Sequence, residues 1–413
     1  MRRLIICCTG LLLAGLLAAC GGTGEGGERP TAPPPTGTTR VSPLGAAPEW
    51  VEAASAVTIS NADQASLLGR LDMPAARSTL FAYTFSPDST RLAGLNNDRL
   101  LAWDLISGQL IVNNARQDGA YIFYSPDKNE LYTLNQNGGV RAYEAERGRL
   151  ETTFSAHTDF SGAIDYDDFY GWLALGGTDG TVKVWEPLQR TSRVTINAHD
   201  TPLTVVAFSP DGELLLTAAR EGPVRVWRWQ DRELLAELDA GGVSPLRVAF
   251  SPDGTRLALG MWDYIGMWRW QDADFLYALR TGPGGSGDVL AFSPDGRLLV
   301  NGGDIPEMTV WDADTGDLLA LLPGVGGERT TAAFSSDGDL LLTATLDGPA
   351  NLWNLTNLDG ETVGQATLVS TDDAQRVLAV DWTADGYLMT IIDATGPVYV
   401  WGIPPDAPAA SGS

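Results

Sequence analysis

Phe208-Ser209-Pro210-Asp211-Gly212-Glu213-Leu214-Leu215-Leu216-Thr217, followed by Glu221-Gly222 and Val224-Arg225-Val226-Trp227, decides the fold. Ser-Pro-Asp-Gly is turn chemistry. Proline presets φ, aspartate bonds its own backbone, and glycine accepts a positive φ. The apolar runs on either side read as β-strands. Glu221-Gly222 supplies a second turn, and Glu233-Leu234-Leu235-Ala236 reads as a further strand after the tryptophan. One unit therefore predicts strand, turn, strand, turn, strand ending in Trp, and a fourth strand.

The unit recurs. Close copies run from Phe292 to Trp311-Asp312 and from Phe250 to Trp268. Phe85 to Trp103-Asp104 has Ser89 for glycine, and Phe334 to Trp353 has Ser336 for proline. Tyr124 to Tyr143 replaces both aromatics, and Trp382 to Trp401 reads Thr-Ala-Asp-Gly at its turn. The most degenerate copy, Tyr166 to Trp185, has Asp167-Asp168-Phe169-Tyr170 instead. The first aromatics of these eight copies recur about every 42 residues, the length of a four-stranded propeller blade.

At these residues the chain resembles the WD-repeat β-propeller family over about residues 57–403. The resemblance implies an all-β fold, a single eight-bladed propeller of four-stranded antiparallel blades. The last copy ends without its outer strand. Ser66-Leu67-Leu68-Gly69-Arg70-Leu71, ahead of the first copy, is predicted to pair with the last blade and close the ring. Closure removes exposed sheet edges.

The termini read differently. Arg2-Arg3, the apolar run Leu4 to Ala19 and Leu17-Ala18-Ala19-Cys20-Gly21 resemble a bacterial lipobox signal peptide. Residues 1–19 are then the signal, and Cys20 carries lipid as the membrane anchor. Residues 20–48 are rich in Gly, Pro and Thr and read as a disordered tether. Residues 404–413 read as a loose tail. The implied location is outside the cytoplasm, facing the periplasm or the cell exterior.

Composition narrows the chemistry. All three cysteines fall within the first 20 residues, so the body has no disulfide, zinc-thiolate site or cysteine nucleophile. Two histidines leave little for metal or general-base work. A net charge of −25 argues against nucleic acid. Aspartate runs such as Asp312–Asp317 do not match a calcium loop. No cofactor and no metal are expected.

The resemblance implies roles for several side chains. His157 would bond toward Asp179 and Trp185 as a structural blade network. His199 would bond toward Trp227, with Glu221 departing from the usual turn aspartate. Trp229 and Trp270 each follow a repeat tryptophan by two residues, on the same face by alternation. They read either as packing between blades or as an exposed aromatic strip. Trp262-Asp263-Tyr264 replaces the Asp-Gly turn of the fifth copy, on the propeller face most used for binding. These three, with Asp304, Trp229 and Trp270, are the candidate partner-binding residues.

The expected function is a membrane-tethered, monomeric scaffold for a protein or peptide partner, with no catalytic activity. A rival reading is a propeller lyase or hydrolase, or a glycan-binding protein, using acidic and aromatic residues at the funnel or top face. It calls for converging carboxylates of raised pKa, or an exposed tryptophan platform.

Overall fold

The computed structural model describes residues 50–405 except 75–77, 116–117, 283–287, 304, 306, 324–329, 347, 357, 359–366, 370–376 and 395. The expected signal peptide at residues 1–19, Cys20, the expected tether at residues 20–48 and residues 406–413 lie outside the described residues.

Each Ser-Pro-Asp-Gly turn is clamped by its serine. Ser209 donates to Asp211 Oδ1 at 2.5 Å and accepts from Leu214 N–H at 2.8 Å. Asp211 in turn accepts from Glu213 N–H at 3.0 Å, and Gly212 takes φ +72°. The same clamp recurs at Ser251, Ser293 and Ser335, and at Thr383 in the last copy. Ser89 and Lys128 occupy the glycine position of their turns at φ 61° and 58°, so those turns keep their shape without glycine.

The hairpins build eight four-stranded antiparallel sheets, numbered here as blades 1 to 8 from Ala82. Blade 4 comprises Leu203–Phe208, Leu214–Ala219, Val224–Arg228 and Glu233–Leu238. Blade 5 comprises Arg247–Phe250, Arg256–Gly260, Tyr264–Arg269 and Asp274–Arg280. Antiparallel order puts the Ser-Pro-Asp-Gly turns and the turns after the tryptophan on one face. The second turns and the blade-to-blade crossings share the other face, called the top here.

Closure occurs as predicted. Ser66–Leu71 pairs with Val398–Gly402 and forms the fourth strand of blade 8. The core lies between blades, where side chains of neighbouring sheets interdigitate. Leu216, Val226 and Leu238 of blade 4 meet Leu257, Leu259 and Met261 of blade 5. Leu68 and Leu71 join blade 8 to Leu92, Leu101 and Trp103 of blade 1.

The body begins earlier than residue 57. Val51, Ala54 and Val57 donate backbone bonds to Leu68, Ile403 and Gly386. Trp50 donates its indole N–H to Ile106 O at 2.8 Å. Its ring lies against Gly69 and Gly108, where a Cβ would come within 2.3 and 2.4 Å. Residues 50–57 thus strap blade 8 to blade 1 on the face opposite the top. Among the described residues, no helix is long and apolar enough to cross a membrane.

Candidate functional site

In most blades one cross-strand row is filled by long or polar side chains. In blade 4 the row is Thr217, Arg225 and Glu237, with Arg225 Nε 2.7 Å from Glu237. Blade 3 has Leu175, Lys183 and Thr195, and blade 6 has Asn301, Thr309 and Leu321. In blade 5 the same row is Leu259, Gly266 and Ala278. Two small residues side by side leave a gap that packing does not fill.

That gap is a cavity of about 470 Å³, bounded by Asp239, Ala240 and Gly241 on the crossing from blade 4 and by the face of blade 5. Trp268 and Phe275 form its aromatic wall, with ring centroids 5.0 Å apart and planes at 69°. Asp239, Asp263 and Arg280 add exposed charges. Arg280 makes no ion pair with a described residue, although the chain is strongly acidic.

The row also decides what the tryptophans bond. Thr217 Oγ1 accepts Trp227 Nε1–H at 2.9 Å, Thr343 accepts Trp353 at 2.7 Å, and Asn301 accepts Trp311 at 2.7 Å. Leu259 at the same position offers no acceptor. Trp268 is 9% exposed, and its indole N–H has no partner among the described residues. Its nitrogen stands beside the gap, 3.1 Å from where a Cβ on Gly266 would sit.

Above the cavity, Trp262 and Asp263 form the tip of the turn closed by Met261 N–H to Tyr264 O at 2.8 Å. Trp262 is 60% exposed. Tyr264 and Asp263 line the cavity. Leu246, bonded through its N–H to Gly260 O at 2.7 Å, and Val243 extend the exposed apolar surface on the crossing from blade 4.

The other predicted residues separate from this site. Trp229 is 4% exposed and donates to Gly212 O at 2.8 Å. Its ring stacks edge-on to Trp172 of blade 3 at 5.1 Å. It therefore packs between blades and belongs to no exposed strip. Trp270 is half-buried and donates to Gly254 O at 2.7 Å, the equivalent bond in blade 5. Asp304 lies outside the described residues.

The histidine networks differ from the family-based expectation. His157 reaches Asp179 only through Thr181: Nε2 lies 3.2 Å from Thr181 Oγ1, which donates to Asp179 at 2.7 Å. Nδ1 accepts Asp159 N–H, so the neutral ring carries its proton on Nε2. Trp185 donates instead to Ala156 O. His199, whose turn carries Glu221 instead of aspartate, makes the fuller chain: Nε2 lies 3.0 Å from Thr217 Oγ1, which also holds Trp227. The oxygen comes from the second strand, so the turn residue does not decide it.

Burial and then the nearby Arg225 charge hold the His199 pKa down to about 4. The unfolded chain takes up this proton near pH 6.5, before the folded blade does. Stability is therefore complete above that range and falls as pH drops from 6.5 toward 4. We expect a loss of about 2 kcal/mol between pH 7.5 and 5, read as a lower urea midpoint. His199→Gln should flatten this dependence; an equal pH slope in both proteins contradicts the assignment.

Carboxylate shifts record turn architecture. Burial pushes Asp253 and Asp295 up, but bonds from Ser251 and Ser293 and from the following backbone outweigh it and leave both lowered. Among the described residues, no group of three or more His, Cys, Asp or Glu converges as for a metal ion. The cavity was missed by the sequence reading, which followed turns and tryptophans. Its signal was present as Gly266-Met267-Trp268, where neighbouring copies read Arg225-Val226-Trp227 and Thr309-Val310-Trp311.

Comparison with known proteins agrees with the repeat architecture. The WD domain, G-beta repeat family matches residues 148–186 and 190–228. Each match starts just ahead of the outer strand of one blade and ends one residue after the tryptophan of the next. WD repeat-containing protein SL1-17 of Schistosoma mansoni is 30% identical over 121 residues, 29% of this chain and 40% of that protein. Periodic tryptophan protein 2 of Arabidopsis thaliana is 24% identical over 137 residues, 32% of this chain and 15% of its own length. Polyadenylation factor subunit 2 of Candida albicans is 25% identical over 135 residues, 33% of this chain and 25% of its own. The similarity thus spans less than half of each relative. Among solved structures, the computationally designed Ika8 protein has a TM-score of 0.64 at 20% identity, covering 81% of this chain and 99% of that one. The chain is an eight-bladed propeller with WD40 repeats.

Proposed function

We propose that this propeller is a protein-interaction scaffold without chemistry of its own, exported and held at a membrane by lipid on Cys20. The partner contacts the top face where blades 4 and 5 meet. The observation that carries the reading is Trp262, a 60% exposed tryptophan on a turn tip above a cavity. Exposed aromatics beside concave surface are the anchors of protein interfaces. A closed ring completes its own blades, which fits a monomer. The WD-repeat likeness supports a binding role in general and names no partner for this chain.

Cross-linking and pull-down of the full chain from the membranes of cells that make it tests the proposal. We expect one stoichiometric protein, lost when Trp262 and Tyr264 are both changed to alanine. Recovery of the same protein with the double variant contradicts this site. An exposed tryptophan beside Asp263 also suits a saccharide, so binding to a glycan array with no protein partner would replace the scaffold reading.

A further inference from the structure

We propose that the cavity between blades 4 and 5 receives a tyrosine side chain from an exposed, basic segment of the protein partner. This rests on the scaffold reading and names what the partner inserts.

Three observations fix the ligand's chemistry. First, apolar side chains line the cavity, the buried Leu259, Met261 and Ala240 and the exposed Ala278, beside the Trp268–Phe275 wall. An aromatic ring fits there, edge-to-face with these rings. A sugar would instead bury hydroxyls against leucine and methionine. Second, Trp268 is 9% exposed as a residue, and its indole N–H, beside the gap left by Gly266, has no partner among the described residues. The occupant must bring an acceptor at the far end of an apolar side chain, which a phenol oxygen does and phenylalanine or leucine does not. Third, Arg280 stands at the wall without an ion pair and can lie over the ring face. Exposed Asp239 and Asp263, on a body of net charge −25, favour basic residues flanking the tyrosine.

Blade 8 is the internal control. There Ile391 replaces the row's acceptor, and the buried Trp401 N–H is again unpaired. Tyr399 and Arg70 occupy the rest of that row. A missing acceptor alone therefore makes no site; in blade 5 it coincides with the Gly266–Ala278 gap.

The test titrates the full chain in detergent micelles with acetyl-Arg-Gly-Tyr-Gly-Arg-amide and its phenylalanine counterpart. The tyrosine peptide should bind about tenfold more tightly. Leu259→Thr gives Trp268 an internal acceptor and should bring the two peptides to equal affinity. Gly266→Arg fills the row as in blade 4 and should abolish binding of both. If that variant does not fold, Ala278→Met narrows the same cavity from the outer strand.

Equal binding of both peptides by the unaltered chain overturns the proposal. So does binding that survives a folded Gly266→Arg, displacement of the peptide by methyl glucoside, or no binding up to ~5 mM. The scaffold reading fails separately. A partner lost with Trp262 and Tyr264 but retained with Gly266→Arg leaves the scaffold standing and removes the tyrosine pocket. Tyrosine-selective binding with no protein partner recovered does the reverse.

Discussion

A chain lacking residues 57–73 is expected to melt about 8–16 °C below the intact protein, or to lose its cooperative transition altogether. The segment contains the fourth strand of blade 8, paired over five registered positions with Val398–Gly402. It also buries Val57, Leu67, Leu68 and Leu71. At 1.5–3 kcal/mol for each large apolar side chain, that burial is worth roughly 6–12 kcal/mol. This matches the whole net stability of an ordinary domain. Leu68 and Leu71 also seal the contact with blade 1, so the deletion opens both a sheet edge and an interblade core. Leu68→Ala alone should cost about 2–5 kcal/mol. An unchanged melting curve for the deletion sinks the closure account.

Gly180→Ala is expected to destabilise the propeller by about 3 kcal/mol or more, a value set by steric overlap and by an unfavourable backbone conformation. Gly180 has φ +78°, and an added Cβ would lie 1.9 Å from the carbonyl oxygen of His199. The glycine's own oxygen accepts the N–H groups of Ala198 and His199, both at 3.0 Å. Gly138 repeats the arrangement, with His157 O at 2.1 Å from the added atom. In these blades, then, the second turn carries glycine because the crossing to the next blade lies directly on it. Gly222 also has a positive φ, but an added Cβ there meets nothing within 4 Å. Gly222→Ala should therefore cost only about 1 kcal/mol. Urea denaturation of the three proteins checks the difference. Equal, small losses at both positions contradict the docking argument.

The ring was legible because its signals are local. Proline, aspartate and glycine at fixed offsets make hairpins whatever the rest of the chain does, and eight repeats average out single departures such as Ser89. The strand that closes the ring was legible because Ser66–Leu71 looks like the other outer strands and the last copy lacks one. What the sequence hid depends on neighbours distant in the chain. The seat of Trp50 is made by Gly69 and Gly108, from two different blades. The His199 network uses Thr217, a strand residue whose role appears only once Trp227 lies across from it. The sequence leaves Trp229 open between packing and an exposed strip because its partner, Trp172, belongs to another blade. The cavity was hidden for the same reason: Leu259, Gly266 and Ala278 form one row only after three strands pair.

The most direct test is a photo-crosslinking amino acid placed at Trp262, with the same probe at Asp98, which occupies the second turn of blade 1. The chain is irradiated in the cells that make it. The account predicts one dominant protein adduct at residue 262, none at residue 98, and loss of the adduct when Tyr264 is also changed to alanine. The same adducts at both turns, or none at residue 262, would contradict a partner site at the junction of blades 4 and 5.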